Sequence, residues 1–172
     1  MKQLWEKMEA ILKDTDPALL ADLAPPATDE DIVTLEQALG VSLPADFVAC
    51  MKIHNGQHGN SHGLFDECEF LSTSRILQEW HIWKGLLDGG DFEGAEASPQ
   101  SGIRPEWWSP AWIPFTYNGA GDHLCLDLAP TGVGICGQII TLWHDDGARE
   151  KQADSFIQWF TQYVEQMQAF LQ

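Results

Sequence analysis

Pro25-Pro26-Ala27-Thr28-Asp29-Glu30-Asp31-Ile32-Val33-Thr34-Leu35-Glu36-Gln37-Ala38-Leu39-Gly40-Val41-Ser42-Leu43-Pro44-Ala45-Asp46-Phe47 is the stretch that decides how this chain folds. Each proline pushes the residue before it out of the helical region, so 24–27 is a stiff, extended linker. Thr28 is a good N-cap, because its hydroxyl can accept from a free amide of the next turn. Asp29, Glu30 and Asp31 then sit at the positive end of the helix dipole. Ile32, Leu35 and Leu39 form the buried stripe, with Ala38 beside it, and Gly40 can adopt the positive φ that ends a helix. Pro44 is a favoured first helical residue for a helix over about 44–54, with Phe47, Val48, Cys50 and Met51 turned inward. Asn55-Gly56 ends it, so the GVSLP connector makes a compact helical hairpin.

Outward from that hairpin, residues 3–13 place Leu4, Trp5, Met8, Ile11 and Leu12 at helical spacing before Pro17. Residues 56–63 read as loop, and 69–72 as a short strand. Thr73 or Ser74 caps a helix over about 75–87 carrying Ile76, Leu77, Trp80, Trp83 and Leu86. The segment 88–106, rich in Gly, Ser, Pro and acids, is the longest loop; with its flank to 111 it is the natural place for a mobile or functional segment. The pattern then changes to period two. Strands are expected at 112–116, 124–128 and 138–143, with turns at Asn118-Gly119 and 132–137 and a further short strand around Arg149. Asp154 or Ser155 caps a last amphipathic helix carrying Phe156, Trp159, Phe160, Tyr163, Val164, Met167 and Phe170. Helices, an antiparallel meander and a closing helix make an α+β chain with the helices packed against the sheet, one domain over 1–172.

Composition narrows the function classes. The chain has 172 residues, 26 acidic and 9 basic, for a net charge of −17. The acids are spread evenly along it. Nucleic acid and anionic membrane need Lys and Arg to displace counterions, so neither is expected as a direct partner. The N-terminus has no apolar signal core, and the longest uncharged run, Leu128–His144, is broken by one Pro and three Gly, so a cytoplasmic protein is expected. Cys50, Cys68, Cys125 and Cys136 lack CxxC spacing and read as free thiols, three of them in apolar surroundings.

Three constellations could carry chemistry. Gly132-x-Gly134-x-x-Gly137 has dinucleotide-fingerprint spacing, but QIITLW follows it and reads as a strand where that motif needs a helix, so the glycines are a hairpin turn. His54, His58 and His62 are spaced four apart, as zinc ligands on a helix face would be, but Asn55-Gly56, Gly59 and Gly63 break any such helix. Asp122-His123 beside Asp127, with His144-Asp145-Asp146 further on, is acid–base material without an evident nucleophile. A metal-dependent enzyme built on these groups is the weaker reading; no catalytic residue, cofactor or metal is assigned. Of the tryptophans, Trp5, Trp80, Trp83, Trp112, Trp143 and Trp159 lie on expected elements and read as core. Trp107 and Trp108, adjacent on a loop, read as an exposed anchor or as a lid over the sheet.

The opening stretch, closed by His54-Asn55-Gly56, closely resembles the SUKH superfamily, which includes the fungal Smi/Knr cell-wall-assembly regulators and many bacterial proteins. A second block matches as well: Trp112-Ile113-Pro114-Phe115, Gly119-x-Gly121-Asp122, Leu124-x-Leu126-Asp127-Leu128 and Gly137-Gln138-Ile139-Ile140. With Ser155-Phe156 and Trp159-Phe160 the resemblance covers about 20–170. It implies one α+β domain and a non-enzymatic role. Many bacterial members look like immunity proteins that occlude a cognate toxin, often a nuclease. That implication, together with the charge, leads to the expectation of a basic toxin as partner, bound through Asp66, Glu67, Glu69, Asp88, Asp91, Glu93, Glu96, Trp107 and Trp108. The alternative is a regulatory or scaffold domain like the fungal relatives.

Overall fold

The computed structural model describes all residues, 1–172. Its helices are α1 (Lys2–Thr15), α2 (Pro17–Asp22), α3 (Asp29–Leu39), α4 (Ala45–Met51), α5 (Thr73–Asp88) and α6 (Phe156–Phe170). Its strands are β1 (Glu69–Phe70), β2 (Ser98–Pro99), β3 (Trp112–Pro114), β4 (Thr116–Tyr117), β5 (His123–Asp127), β6 (Gln138–Leu142), β7 (Ala148–Arg149) and β8 (Lys151–Ala153). The architecture is α+β: a four-stranded antiparallel meander, β3-β5-β6-β8, with helices on both sides.

Local chemistry explains the helical hairpin. Thr28 accepts from Asp31 N–H and Asp31 accepts from Thr28 N–H, a reciprocal capping box. Gly40 ends α3 at φ 71°. Glu36 Oε2 accepts from Leu43 N–H at 2.8 Å and holds the connector shut. Pro44 caps α4 from outside rather than opening it, and α4 stops at Met51, where Ile53 N–H turns back to the Cys50 carbonyl. The cap of α5 is Ser72, whose hydroxyl accepts from Arg75 N–H, and that of α6 is Ser155. The six-residue α2 was not foreseen. It opens on Pro17 with Asp16 as its cap and is too short to show a period.

The sheet is buried on both faces. Register pairs His123 with Leu142, Cys125 with Ile140 and Asp127 with Gln138, while Leu124 faces Thr141 and Leu126 faces Ile139. Directly opposed residues share a face. On the side of Leu126 and Ile139, Phe115 packs on Phe156 and Trp159 of α6 and on Phe47 of α4. On the other side, Trp83 of α5 packs against His123 and Trp108. All five residues of β6 are buried, so this strand reads as an apolar run rather than an alternation. The expected strand 112–116 divides at Phe115, whose N–H donates to Leu124 O and whose carbonyl accepts from Leu71 N–H; β4 then pairs with β1 instead.

Asp127 and Gln138, which the sequence shows only as parts of a pattern, tie the meander to its surroundings. Gln138 Nε2 donates to Asp127 Oδ2 at 2.8 Å and to the Gly102 carbonyl at 3.1 Å. The second of these bonds reaches the segment 89–111, which is pinned rather than free. Within it, β2 pairs in parallel with β7. Arg149, fully buried with no carboxylate partner, donates to the Trp107, Asp146 and Ala148 carbonyls and lies over the rings of Trp107 and Trp112. Trp108, 2% exposed, is core, and Trp107 is half-buried against it. Trp143, expected inside, is 36% exposed, because it lies just past the end of β6. Of the cysteines only Cys50 and Cys125 are buried; Cys68 is half-buried and Cys136 exposed.

One contiguous cluster of 35 buried apolar residues runs from Trp5 to Val164. The helical half is joined to the sheet through 54–57. Asn55 Oδ1 accepts from Thr73 N–H and its amide donates to Thr73 Oγ1. Gly56, at φ 68°, lies so close to Leu71-Ser72 that a Cβ would fall 2.3 Å from Ser72 N. Gln57 is buried with its amide group fully used: Nε2 donates to Asp22 and to the His62 carbonyl, while Oε1 accepts from Leu64 and Phe70 N–H. Asp22 also accepts from Gly59 and Asn60 N–H.

Two consequences are testable. Gly56→Ala meets both an unfavourable φ and immovable backbone and should cost about 3 kcal/mol, against about 1 kcal/mol for Gly40→Ala, which has the φ problem alone; urea midpoints compare them. Arg149→Leu strands three carbonyls and should cost about 2–4 kcal/mol while exposing bonds between 88 and 106 to limited proteolysis. Wild-type cleavage kinetics there would show that Arg149 does not hold the loop.

Candidate functional site

The three histidines spaced by four do not converge. His54 bridges the Ala24 carbonyl and Glu9 Oε1 at 2.7 and 2.6 Å. His62 Nε2 meets Asp16 Oδ2 at 2.6 Å, and the exposed His58 contributes its backbone N–H to the Asp22 carbonyl. They fasten the loop to α1 and α2. The sequence neighbours Asp122 and His123 also part company. Burial holds His123 below the ordinary imidazole range. Its Nδ1–H donates to the Thr116 carbonyl, and Nε2 faces the buried Glu79 carboxylate at 4.0 Å. Asp122 instead accepts from the N–H and Nδ1 of His144, at 2.9 and 2.8 Å, and from Asn118 Nδ2. The turn amides of Ala120 and Asp122 go to Asn118 Oδ1. Asp122, His144 and Asp145 are the side chains whose ligand atoms come within 4.8 Å of one another, and His144 and Asp145 are exposed.

The acids expected to form a single interface fall into two groups. Asp66, Glu67 and Glu69 lie before α5; Asp88, Asp91, Glu93 and Glu96 lie at or beyond its far end. Sixteen residues of helix put roughly 24 Å between them. Glu69 is bound bidentately by Arg75, and Asp88 by Lys84 at 2.6 and 2.7 Å, so those two are partly neutralised. Asp91, Glu93 and Glu96 are exposed on the pinned segment.

Asp66 and Glu67 are the unusual pair. Phe65 and Cys68 exchange both backbone hydrogen bonds, and the two residues between them have φ of 51° and 69°. This is a tight hairpin turn of the kind normally made with Asn or Gly. Holding non-glycine residues there costs about 1–2 kcal/mol each, and such strain collects at binding sites. Tyr163 supports the turn: its hydroxyl donates to the Leu64 carbonyl and accepts from Asp66 N–H, both at 3.1 Å. Burial, with the Asp66 charge nearby, pushes the phenol up to about 12, so it remains a donor.

The turn overhangs a groove along α6. On one side is a cavity of about 540 Å³ between α1–α2 and the end of α6, walled by Ile11, Leu12, Leu19, Leu64, Met167, Phe170 and Leu171. On the other is a polar cavity of about 460 Å³ walled by Thr116, Asn118, Asp122, Trp143, Gln152 and Gln162. Asp66, Tyr163 and Gln166 line both, and no Lys or Arg lines either. Cys68 edges the polar cavity, but burial, followed by the charges of Asp66, Asp122 and Glu67, raises its thiol pKa, the reverse of a reactive thiolate's setting. Among the groove residues, only Asp66 had been singled out from sequence for partner binding. Tyr163, Met167 and Phe170 fall on the apolar stripe of α6, yet Phe170 is 92% exposed.

Comparison with known proteins adds a lineage. The family described as SMI1 / KNR4 (SUKH-1) matches residues 26–162. Among similar proteins are the cell wall assembly regulator SMI1 of Saccharomyces cerevisiae (24% identical, 96% of this chain, 40% of that one) and the glucan synthesis regulatory protein of Neurospora crassa (27%, 95% and 37%). A third is the cell wall biosynthesis/cell cycle regulator smi1 of Schizosaccharomyces pombe (26%, 91% and 34%). The chain thus spans about two-fifths or less of the length of these relatives. No helix is long and apolar enough to cross a membrane.

The Asp122–His144 pair sets a pH signature. Its bond to Asp122 holds His144 above its ordinary 6.5, so this contribution is present below that value and is lost as the pH rises through the folded value. Burial raises Asp122, but bonds from His144 and Asn118 outweigh it and hold the carboxyl below its ordinary 3.8, so that contribution is lost as the pH falls through the folded value. The melting-temperature gap between wild type and His144→Gln should therefore be widest near about pH 5.5 and narrow by about pH 8.5. A gap constant across that range would mean the pair does not contribute.

Proposed function

Since the chain belongs to the SMI1 / KNR4 family (SUKH-1), we propose that it is a protein-binding regulatory domain that acts by docking on a partner rather than by turning over a substrate. The observation that carries this reading is the division of labour among its polar groups. His54, His62, His123, Asp22 and Asp127 are committed to holding elements together, while the strained acidic turn at Asp66-Glu67 stands over an open groove. The relatives' names as regulators point the same way.

A second reading, neutralisation of a basic toxin by occlusion, is favoured by the net charge of −17. Acidic inhibitors complement cationic enzymes and associate with them rapidly. Under both readings the partner is basic.

The test is affinity capture of the tagged chain from its native host, followed by reconstitution from purified components. A stoichiometric complex with a basic protein is expected, its Kd weakening about tenfold or more between low and moderately high salt. If the partner has a lethal activity that the complex abolishes, the immunity reading prevails; if it belongs to a synthesis or signalling assembly, the regulatory one does. Substrate turnover by the purified chain, lost in Asp122→Asn, would overturn both.

A further inference from the structure

The groove along α6 has two chemically different halves that share one rim. The apolar half ends at Phe170 and Leu171, both exposed, and includes Met167, whose flexible thioether adapts to differently shaped side chains. The polar half holds two carboxylates, Asp66 and Asp122, beside the partly exposed ring of Trp143. An aromatic face next to carboxylates, with no lysine or arginine in the lining, suits a guanidinium or ammonium group.

We propose that this groove receives a segment of a partner protein in which apolar side chains lie next to an arginine or lysine. This rests on the protein-binding reading above and names the partner's chemistry. The apolar side chains lie against Ile11, Met167 and Phe170, and the cation enters beside Trp143 between Asp66 and Asp122. Charge complementarity selects this occupant. A purely apolar segment would desolvate the Asp66 carboxylate without compensation, and an acidic one would be repelled. A second copy of this chain brings 26 acids against 9 bases. The acidic turn is the hinge of the recognition: Tyr163 holds it over the rim common to both halves, so one occupant meets both chemistries at once.

The full chain would be panned against a random 12-residue peptide library, with Kd values of selected peptides measured by fluorescence anisotropy. The expected consensus places two apolar residues within four positions of Arg or Lys. Phe170→Asp alters a side chain 92% exposed and leaves the fold intact; it should weaken binding at least tenfold. Asp66→Asn keeps a residue that tolerates positive φ and removes the charge, so it should weaken binding severalfold and flatten the salt dependence. Val133→Asp, on an exposed turn outside the groove, should change nothing. Absence of that consensus, or unchanged affinity in both groove variants, overturns the assignment. So does a dimer in sedimentation that Phe170→Asp dissolves, which would give the groove to a second copy. If the captured partner binds both variants as tightly as wild type, the groove assignment falls while the protein-binding reading stands.

Discussion

The amide of Gln57 is the constraint on which the rest of this fold depends. Its four hydrogen bonds reach α2, the 59–64 loop and the first residue pair of the sheet region. A buried amide with one bond missing loses a large part of what the others contribute, so these three elements must arrive together. Burial alone would raise the Asp22 carboxyl, but bonds from Gln57, Asn60 and Gly59 outweigh that and keep it below the ordinary range. Asn55 and Gly56 extend the same junction, one by reciprocal bonds to Thr73 and the other by yielding space that no side chain could share.

Elements whose causes are local were legible in the sequence. The capping box at Thr28, the stop at Gly40 and the apolar run of β6 each follow from residues within one turn or one strand. What escaped reading depends on partners far away in the chain. Asp22 looks like a surface acid until residues 57–60 fold over it. Arg149 looks like an ordinary solvent-facing cation in a short strand, yet its guanidinium is buried and donates to a carbonyl 42 residues earlier. Phe115 continues a period-two pattern and nevertheless ends a strand, because Leu71 and Leu124 claim its backbone from different directions.

The candidate site was harder to read for the same reason. Acids at 66–69 and 88–96 are close in sequence but lie at opposite ends of α5. The residues that gather around the turn come instead from α1, α2, β5 and α6. Asp66 and Glu67 carry no glycine or asparagine to advertise their backbone, so their conformation is visible only in three dimensions. The histidine spacing suggested a metal through a helix that the glycines forbid; the His54 and His62 rings have structural partners instead, and His58 is held only by its backbone.

The packing of α1 on α6 has a consequence for how the chain is made. Trp5 rests on Phe160 at a ring separation of 5.1 Å, and Met8 and Leu12 are buried beside it. At ribosomal speeds of about 5–20 residues per second, roughly 8–30 s separate the emergence of those two rings. Until α6 emerges, the side of Trp5 that meets Phe160 has no covering ring. The order of translation therefore leaves that face of α1 to a chaperone near the exit tunnel for the whole of this interval, and the core closes only once α6 has emerged.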